Sequence, residues 1–265
     1  MDHAQANEPS IFKRILCGVD ATLESLVPVQ QAIRLQDPDG SVYIAAVAPL
    51  AKAAHAGIAA SHAAELLQQE TEAALADAGR IAPSAIKKLL NGEPVAVLLQ
   101  QVEADQATLV AVGSHGHGRV AGMLLGTVAA RMLRDAPCSV LIARAGRDRD
   151  ASAWPQSVVV GVDGSAESAG AFTVARSIAE RFGASLHAVA SSKDQLDPEA
   201  AHAIATEVEE RPERAVDALV TASEAADLVV VGSRGLRGLR ALGSVSERVA
   251  HQARSSVLVV RAGTR

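Results

Sequence analysis

Two stretches of the chain set glycines and hydroxyl residues where a phosphate group could be held. In the first, Val112-Gly113 ends an apolar run, His115 and Gly116 follow, and after nine intervening residues Gly126-Thr127-Val128 opens a segment of helical spacing. In the second, Gly232, Arg234 and Gly235 follow a similar run, and Gly243-Ser244-Val245-Ser246 opens the next helical segment. Unpaired backbone N–H groups at a helix N-terminus, together with the helix dipole, favour an anion. Glycine allows close backbone approach and positive φ. Thr127 and Ser244 add hydroxyl donors, and His115 stands where the second stretch has Arg234.

Each half also ends its first apolar run in an aspartate, Asp20 after Ile15-Leu-Cys-Gly-Val and Asp163 after Val158-Val-Val-Gly-Val. An aspartate at such a strand end can accept from ribose hydroxyls or an adenine amino group, and it can equally cap the following helix. Glycines after a strand also serve as plain turn residues. The pattern is neither a Walker loop nor the dinucleotide fingerprint, since the following Lys-Ser/Thr and the tight glycine spacing are both missing.

No set of residues points to catalysis. Cys-x-x-Cys, His-Glu-x-x-His and Gly-x-Ser-x-Gly do not occur. His115 and His117 lack a third metal ligand nearby and read as polar loop residues. His55, His62 and Glu65 read as a solvated helix face. Cys17 and Cys138 adjoin or enter apolar runs and read as buried, inert thiols of a reducing compartment. Aromatics are 2% of the chain, its formal net charge is −5 and its pI about 5.9. That composition excludes a stacking platform and a basic footprint for nucleic acid. Met1 to Ser10 has no apolar core of a leader, and no run reaches the length of a membrane span. A cytoplasmic protein with no membrane partner is the expectation.

The elements that must position these residues come twice. Ala136-Pro-Cys-Ser-Val-Leu-Ile-Ala-Arg-Ala-Gly146 matches Ala253-Arg-Ser-Ser-Val-Leu-Val-Val-Arg-Ala-Gly263, and Leu109-Val-Ala-Val-Gly-Ser-His-Gly116 matches Leu228-Val-Val-Val-Gly-Ser-Arg-Gly235. With the two aspartate segments, three matches in one order imply a duplicated α/β domain, 11–145 and 156–263, joined by a charged linker at 145–156. Short apolar strands at Ile15–Val19, Val42–Val47, Ile86–Leu90, Leu109–Val112 and Val140–Ala143 alternate with helical segments at Leu23–Gln36, His55–Gly79, Val95–Glu103 and Gly126–Arg134. This alternation predicts a parallel sheet with right-handed crossovers. Asp37-Pro-Asp-Gly40 reads as a turn. In the second half, Ala203-Ile aligns with Ala85-Ile and Pro212 with Pro94. Only Ser191 to His202 then remains for the crossover between strands two and three, which has lost most of its helix. With strand order 3-2-1-4-5, the switch point between strands one and four joins Asp20 to Gly113 and Asp163 to Gly232.

Gly232 to Arg248, Ser256 to Arg261, Gly161-Val-Asp-Gly164-Ser165 and the first-half glycine set together resemble the universal stress protein family over nearly the whole chain. The resemblance implies two five-stranded parallel-sheet domains of the adenine-nucleotide α-hydrolase-like, Rossmann-like type, packed as a pseudo-twofold pair. It implies ATP or AMP, with or without magnesium, held by the first-strand Asp, the second-strand end (Val47 in the first half) and the glycine loop. Pairing through the fifth strand, within one chain or in a homodimer, is also implied. A nucleotide-binding stress or signalling module is thus expected, not an enzyme; the alternatives are a slow ATPase and a nucleotide-free scaffold. Against the family's pattern the halves differ. The first keeps the nine-residue loop but has Ala21-Thr22 after its Asp and Ala129 where a last hydroxyl belongs. The second keeps Gly164-Ser165 and Ser246 but has seven residues between Gly235 and Gly243. Unequal sites are expected, with the first favoured for ATP.

Overall fold

The structure, a computed structural model, describes residues 11–49, 60–114, 125–146, 153–194, 198–233 and 244–261. In the first half, strands β1 (Phe12–Val19), β2 (Gln36–Ala48), β3 (Ile86–Asn91), β4 (Leu109–Gly113) and β5 (Ser139–Ala143) alternate with helices α1 (Leu26–Leu35), α2 (Ala60–Ile81), α3 (Pro94–Ala104) and α4 (Thr127–Asp135). The second half repeats the series. Its strands are β6 (Ser157–Gly161), β7 (Ser185–Ser191), β8 (Val208–Arg211), β9 (Leu228–Gly232) and β10 (Ser256–Val260). Its helices are α5 (Ala166–Phe182), α6 (Pro198–Ile204), α7 (Ala215–Ala222) and α8 (Ser244–Gln252).

The strands form one sheet in the order β3-β2-β1-β4-β5-β10-β9-β6-β7-β8. Each half therefore has the expected 3-2-1-4-5 order, and β1 lies beside β4 as β6 lies beside β9. The fifth strands pair antiparallel, with Leu141 opposite Leu258. Strand periodicity splits the apolar residues between two layers. Ile15, Cys17, Leu141, Val158, Val160 and Leu258 enter one core, and Leu16, Val140, Ile142, Val159, Val257 and Val259 enter the other. Each layer runs unbroken across the β5–β10 joint.

A reciprocal exchange at the ends of the fifth strands fastens this joint. The Arg144 backbone N–H donates to Ser256 Oγ at 3.0 Å, and the Arg261 N–H to Ser139 Oγ at 3.1 Å. The guanidinium of Arg144 donates to Ala250 O at 2.5 Å and Ser255 O at 3.2 Å. Arg261 donates to Leu133 O at 2.7 Å. Each half's closing arginine thus binds at the C-terminal end of the other half's last helix, Arg144 on Ala250 O and Arg261 on Leu133 O.

Three sequence expectations change. Asp37 to Gly40, expected as a turn between elements, belongs to an irregular start of β2 with Pro38 and Asp39 exposed, where Gln36 faces Phe12 and Ser41 already faces Arg14. Asp37 is buried, accepts from Ile11 N–H and pairs with Arg181 of α5 at 3.4 Å. Gly40 lies so close over the Lys13 carbonyl that a Cβ would come within 2.7 Å of it. Second, Ala203 and Ile204 end helix α6, and the third strand of that half starts at Val208. The helix after that strand begins at Ala215, so Ala215 and not Pro212 stands opposite Pro94. The prolines misaligned because one opens a helix and the other precedes its cap. The shortened crossover itself is present, with 7 residues in α6 against 22 in α2. Third, the end of the expected linker is part of the fold. Trp154 is buried, its indole N–H donates to Asp227 O at 3.3 Å, and the Asp227 carboxylate accepts from Gln156 N–H at 2.8 Å.

Candidate functional site

At the C-terminal end of β6 the chain makes a tight turn. Asp163 Oδ1 accepts from Ser165 N–H at 3.1 Å and from the Ser165 hydroxyl. Ser165 is the N-cap of α5 and accepts from Ser168 N–H at 3.2 Å. Gly164 between them has φ +77°, and a Cβ there would lie 2.6 Å from Ala200 Cβ on α6. Glycine is required at 164 both by the left-handed backbone and by the neighbouring helix. The aspartate therefore shapes the helix entry while facing the switch point. In the first half Asp20 makes the same turn, with Oδ1 2.9 Å from Thr22 N and 2.5 Å from Thr22 Oγ1. Exposed Ala21 replaces the glycine.

The other wall is the β9–α8 connection. A Cβ on Gly232 would come within 2.5 Å of Glu167 O, so this glycine lets the first turn of α5 lie against β9. The buried Ser246 hydroxyl donates to Gly232 O at 2.6 Å. In this geometry Ser246 braces α8 onto β9, and the exposed Ser244 at the first position of α8 is the hydroxyl nearest the helix start. Gly126 caps α4 with no side-chain hydrogen bond, its N–H going to Ser114 O at 2.9 Å, and Thr127 is exposed. Val112 is buried, and Val47 and Val128 are half-buried. His115, Gly116, Arg234, Gly235 and Gly243 lie outside the described residues, as do His55, His117, Arg119, Arg237 and Arg240.

A cavity of about 330 Å³ opens at the β6–β9 switch point. That is within the size range of small-molecule sites. It brings together Asp163, Ser165, Gly232, Ser244, Val245 and Ser246. Leu219, Val189 and Val231 give it an apolar wall, and a Cβ on Gly161 would touch Leu219 Cδ1 at 3.0 Å. Four charged residues that the sequence reading did not single out also line it: Glu167, Asp194, Arg214 and Arg248. Asp194 Oδ2 accepts from Ala215 N–H at 2.7 Å and so caps α7. Arg248 follows Ser244 by one helical turn, a spacing that puts both on one face. That spacing was available in the sequence. Asp194 and Arg214 reach the cavity only through the fold.

Burial pushes the Cys17 and Cys138 thiols up to about 12, so neither forms a thiolate near neutral pH. Among the described residues there is no His/Cys/Asp/Glu group able to hold a metal, and no helix is long and apolar enough to cross a membrane.

The chain matches the model of the universal stress protein family over residues 11–144 and 195–261. The second segment begins after β7, so β6, α5 and the Asp163 turn lie outside the match. A universal stress protein of Mycobacterium tuberculosis (strain H37Rv) is 37% identical over 189 residues, covering 60% of this chain and 63% of that relative. The chain therefore spans less than two thirds of that relative's length. A universal stress protein of Mycolicibacterium smegmatis is 30% identical over 288 residues, covering 93% of this chain and 96% of the relative. Among solved structures, a universal stress protein from Archaeoglobus fulgidus superposes with a TM-score of 0.70 at 20% identity, covering 94% of this chain and 96% of that one. The cytoplasmic domain of a prokaryotic cation chloride cotransporter, 13% identical, superposes at 0.54 over 96% of this chain and 97% of its own. At those identities the superpositions show a shared fold, and a fold serves many functions.

Proposed function

Because the chain belongs to the universal stress protein family, we propose that it binds an adenine nucleotide, ATP or AMP, as a stress-response or signalling module. Its two repeat units, 11–145 and 156–263, would act as unequal sites. The observation that carries this reading is the 330 Å³ cavity at the β6–β9 switch point, apolar on one wall and bounded by Asp163 and the start of α8. Asp163 would accept from the ribose, and the α8 N-terminus with Ser244 and Arg248 would face the phosphate. Gly164, Ser165 and Val245 would shape the site, with Arg234, Gly235 and Gly243 completing the loop. Asp20, Val47, Val112, Gly113, His115, Gly116, Gly126, Thr127 and Val128 would form the first-half counterpart.

Loop length favours the first half for ATP, and the cavity at the β6–β9 switch point favours a nucleotide in the second. We infer that the second site is the occupied one. No catalytic step is assigned, and the carboxylates that line the cavity, Asp163, Glu167 and Asp194, are read as binding and capping groups. Nucleotide occupancy would shift the inter-half joint or a partner surface. A homodimer would need a surface other than the fifth strands, which already pair with each other inside the chain. A cytoplasmic location is proposed with this reading.

Mass spectrometry of small molecules released from the purified full chain, followed by calorimetric titration with AMP and ATP, tests the proposal. A stoichiometric adenine nucleotide, or micromolar binding of either ligand, is expected. Neither retained nucleotide nor heat of binding at millimolar ligand would refute it.

A further inference from the structure

The cavity's phosphate end is built on α8, and α8 is held by residues from both halves. Its first three residues, Ser244 to Ser246, line the cavity. At that end Ser246 ties it to Gly232 O. At the other end the guanidinium of Arg144, at the close of β5 in the first half, binds Ala250 O at 2.5 Å and Ser255 O at 3.2 Å. From within the second half, Arg254 N–H donates to Ser223 Oγ at 2.9 Å just after the helix. The backbone of Arg144 is itself fixed, its N–H on Ser256 Oγ and its carbonyl accepting from buried Gln31 Nε2 at 3.1 Å.

A nine-residue helix is a stiff rod of roughly 13 Å. Its backbone N–H donors can meet a phosphate at hydrogen-bond distance only if its tilt and axial position are set at both ends. Displacements of about 1 Å are enough to lose such contacts. A cation forked between Ala250 O, in the last turn of α8, and Ser255 O, in the segment that leads from α8 into β10, supplies that constraint, and its charge complements the helix dipole. Burial lowers Arg144 to about 10, still far above neutral pH, so the charge is present.

We propose that Arg144, although it belongs to the first half, is a positioning residue for phosphate binding in the second-half cavity and acts through α8. This rests on the nucleotide reading above. Arg261, bound to Leu133 O, makes the mirror contact with α4. The joint would then be more than a structural seam: phosphate bound in the second half would bear on the end of β5, and any such coupling is reciprocal.

The test uses the isotope-labelled full chain, with the amide resonances of Val245 and Ser246 reporting the second cavity and those of Val128 and Ala129 the first. AMP and adenosine are titrated separately. For Arg144→Ala, AMP affinity at the second cavity is expected to fall about tenfold, while adenosine affinity and the first-half response stay as in the unaltered chain. Arg144→Lys, which keeps charge but loses the fork, is expected to fall about threefold, and it carries the test if Arg144→Ala does not fold. Unchanged AMP affinity, or an equal loss for adenosine and AMP, overturns the proposal while leaving nucleotide binding intact. No response of the unaltered chain to either ligand overturns both.

Discussion

The two halves share a strand order, an aspartate turn and an uninterrupted core, yet they reach the switch point with different equipment. In the second half, a short α6 comes down on Gly164, Gly232 admits the first turn of α5, and a cavity stands between β6 and β9. In the first half, exposed Ala21 occupies the turn, α2 is three times as long as α6, and Ala129 fills the place of Ser246 without its bond to the preceding strand. The repeat preserves what holds the sheet together. The details that decide whether a ligand fits are free to differ, because they depend on how closely helices approach the strand ends.

The largest expected difference lies at the aspartate turn. Gly164→Ala meets both a left-handed backbone and Ala200 Cβ, so it should destabilise the chain by about 3 kcal/mol in urea denaturation. The mirror change, Ala21→Gly, should cost less than about 1 kcal/mol. Equal effects would erase the distinction between the two turns. A smaller effect is expected from the carboxylates themselves. Asp163→Asn should weaken calorimetric AMP binding about tenfold, or ~1.4 kcal/mol, by removing a charge-assisted acceptor. Asp20→Asn should leave the total binding unchanged if the second site is the occupied one.

The smallest contrast is predicted for the thiols, one in each half. Both should resist a disulfide reagent at pH 8 in the folded chain, and labelling of either one would set the halves apart. The sign of their pH dependence is the same. Burial pushes the folded thiols from their ordinary value of 9.0 up to about 12, so above pH 9 the unfolded chain binds fewer protons than the native one. Their contribution to stability is therefore complete below about pH 9 and is lost as pH rises toward 12, which denaturation midpoints measured from pH 8 to 11 would show.

Much of the fold was legible because its signals are local. Strands such as Leu109–Gly113 and Leu228–Gly232 are short apolar runs, and the matched segments established their order in each half. The register of the shortened crossover was not legible, since Pro94 and Pro212 look equivalent in sequence while only Pro94 opens a helix. Nor was the burial of Asp37, which depends on Arg181 from 144 residues away. At the candidate site, Asp163, Gly232 and Ser244 could be found from spacing. Asp194 and Arg214 could not, because they arrive from the neighbouring crossover. The Ser246 hydroxyl was foreseen as a donor, but its acceptor, Gly232 O, is settled by how α8 sits on β9.

Residue pattern alone determined that this chain is a duplicated α/β protein with paired aspartate and glycine features at each switch point, because periodicity and turn chemistry act over a few residues. Only the tertiary structure decided three further features. The fifth strands join the halves into one sheet. The closing arginines cross over to hold each other's last helices. A cavity is formed at the second switch point. These are contacts between segments far apart in sequence, set by how closely helices pack on the strand ends, and no local pattern encodes that distance.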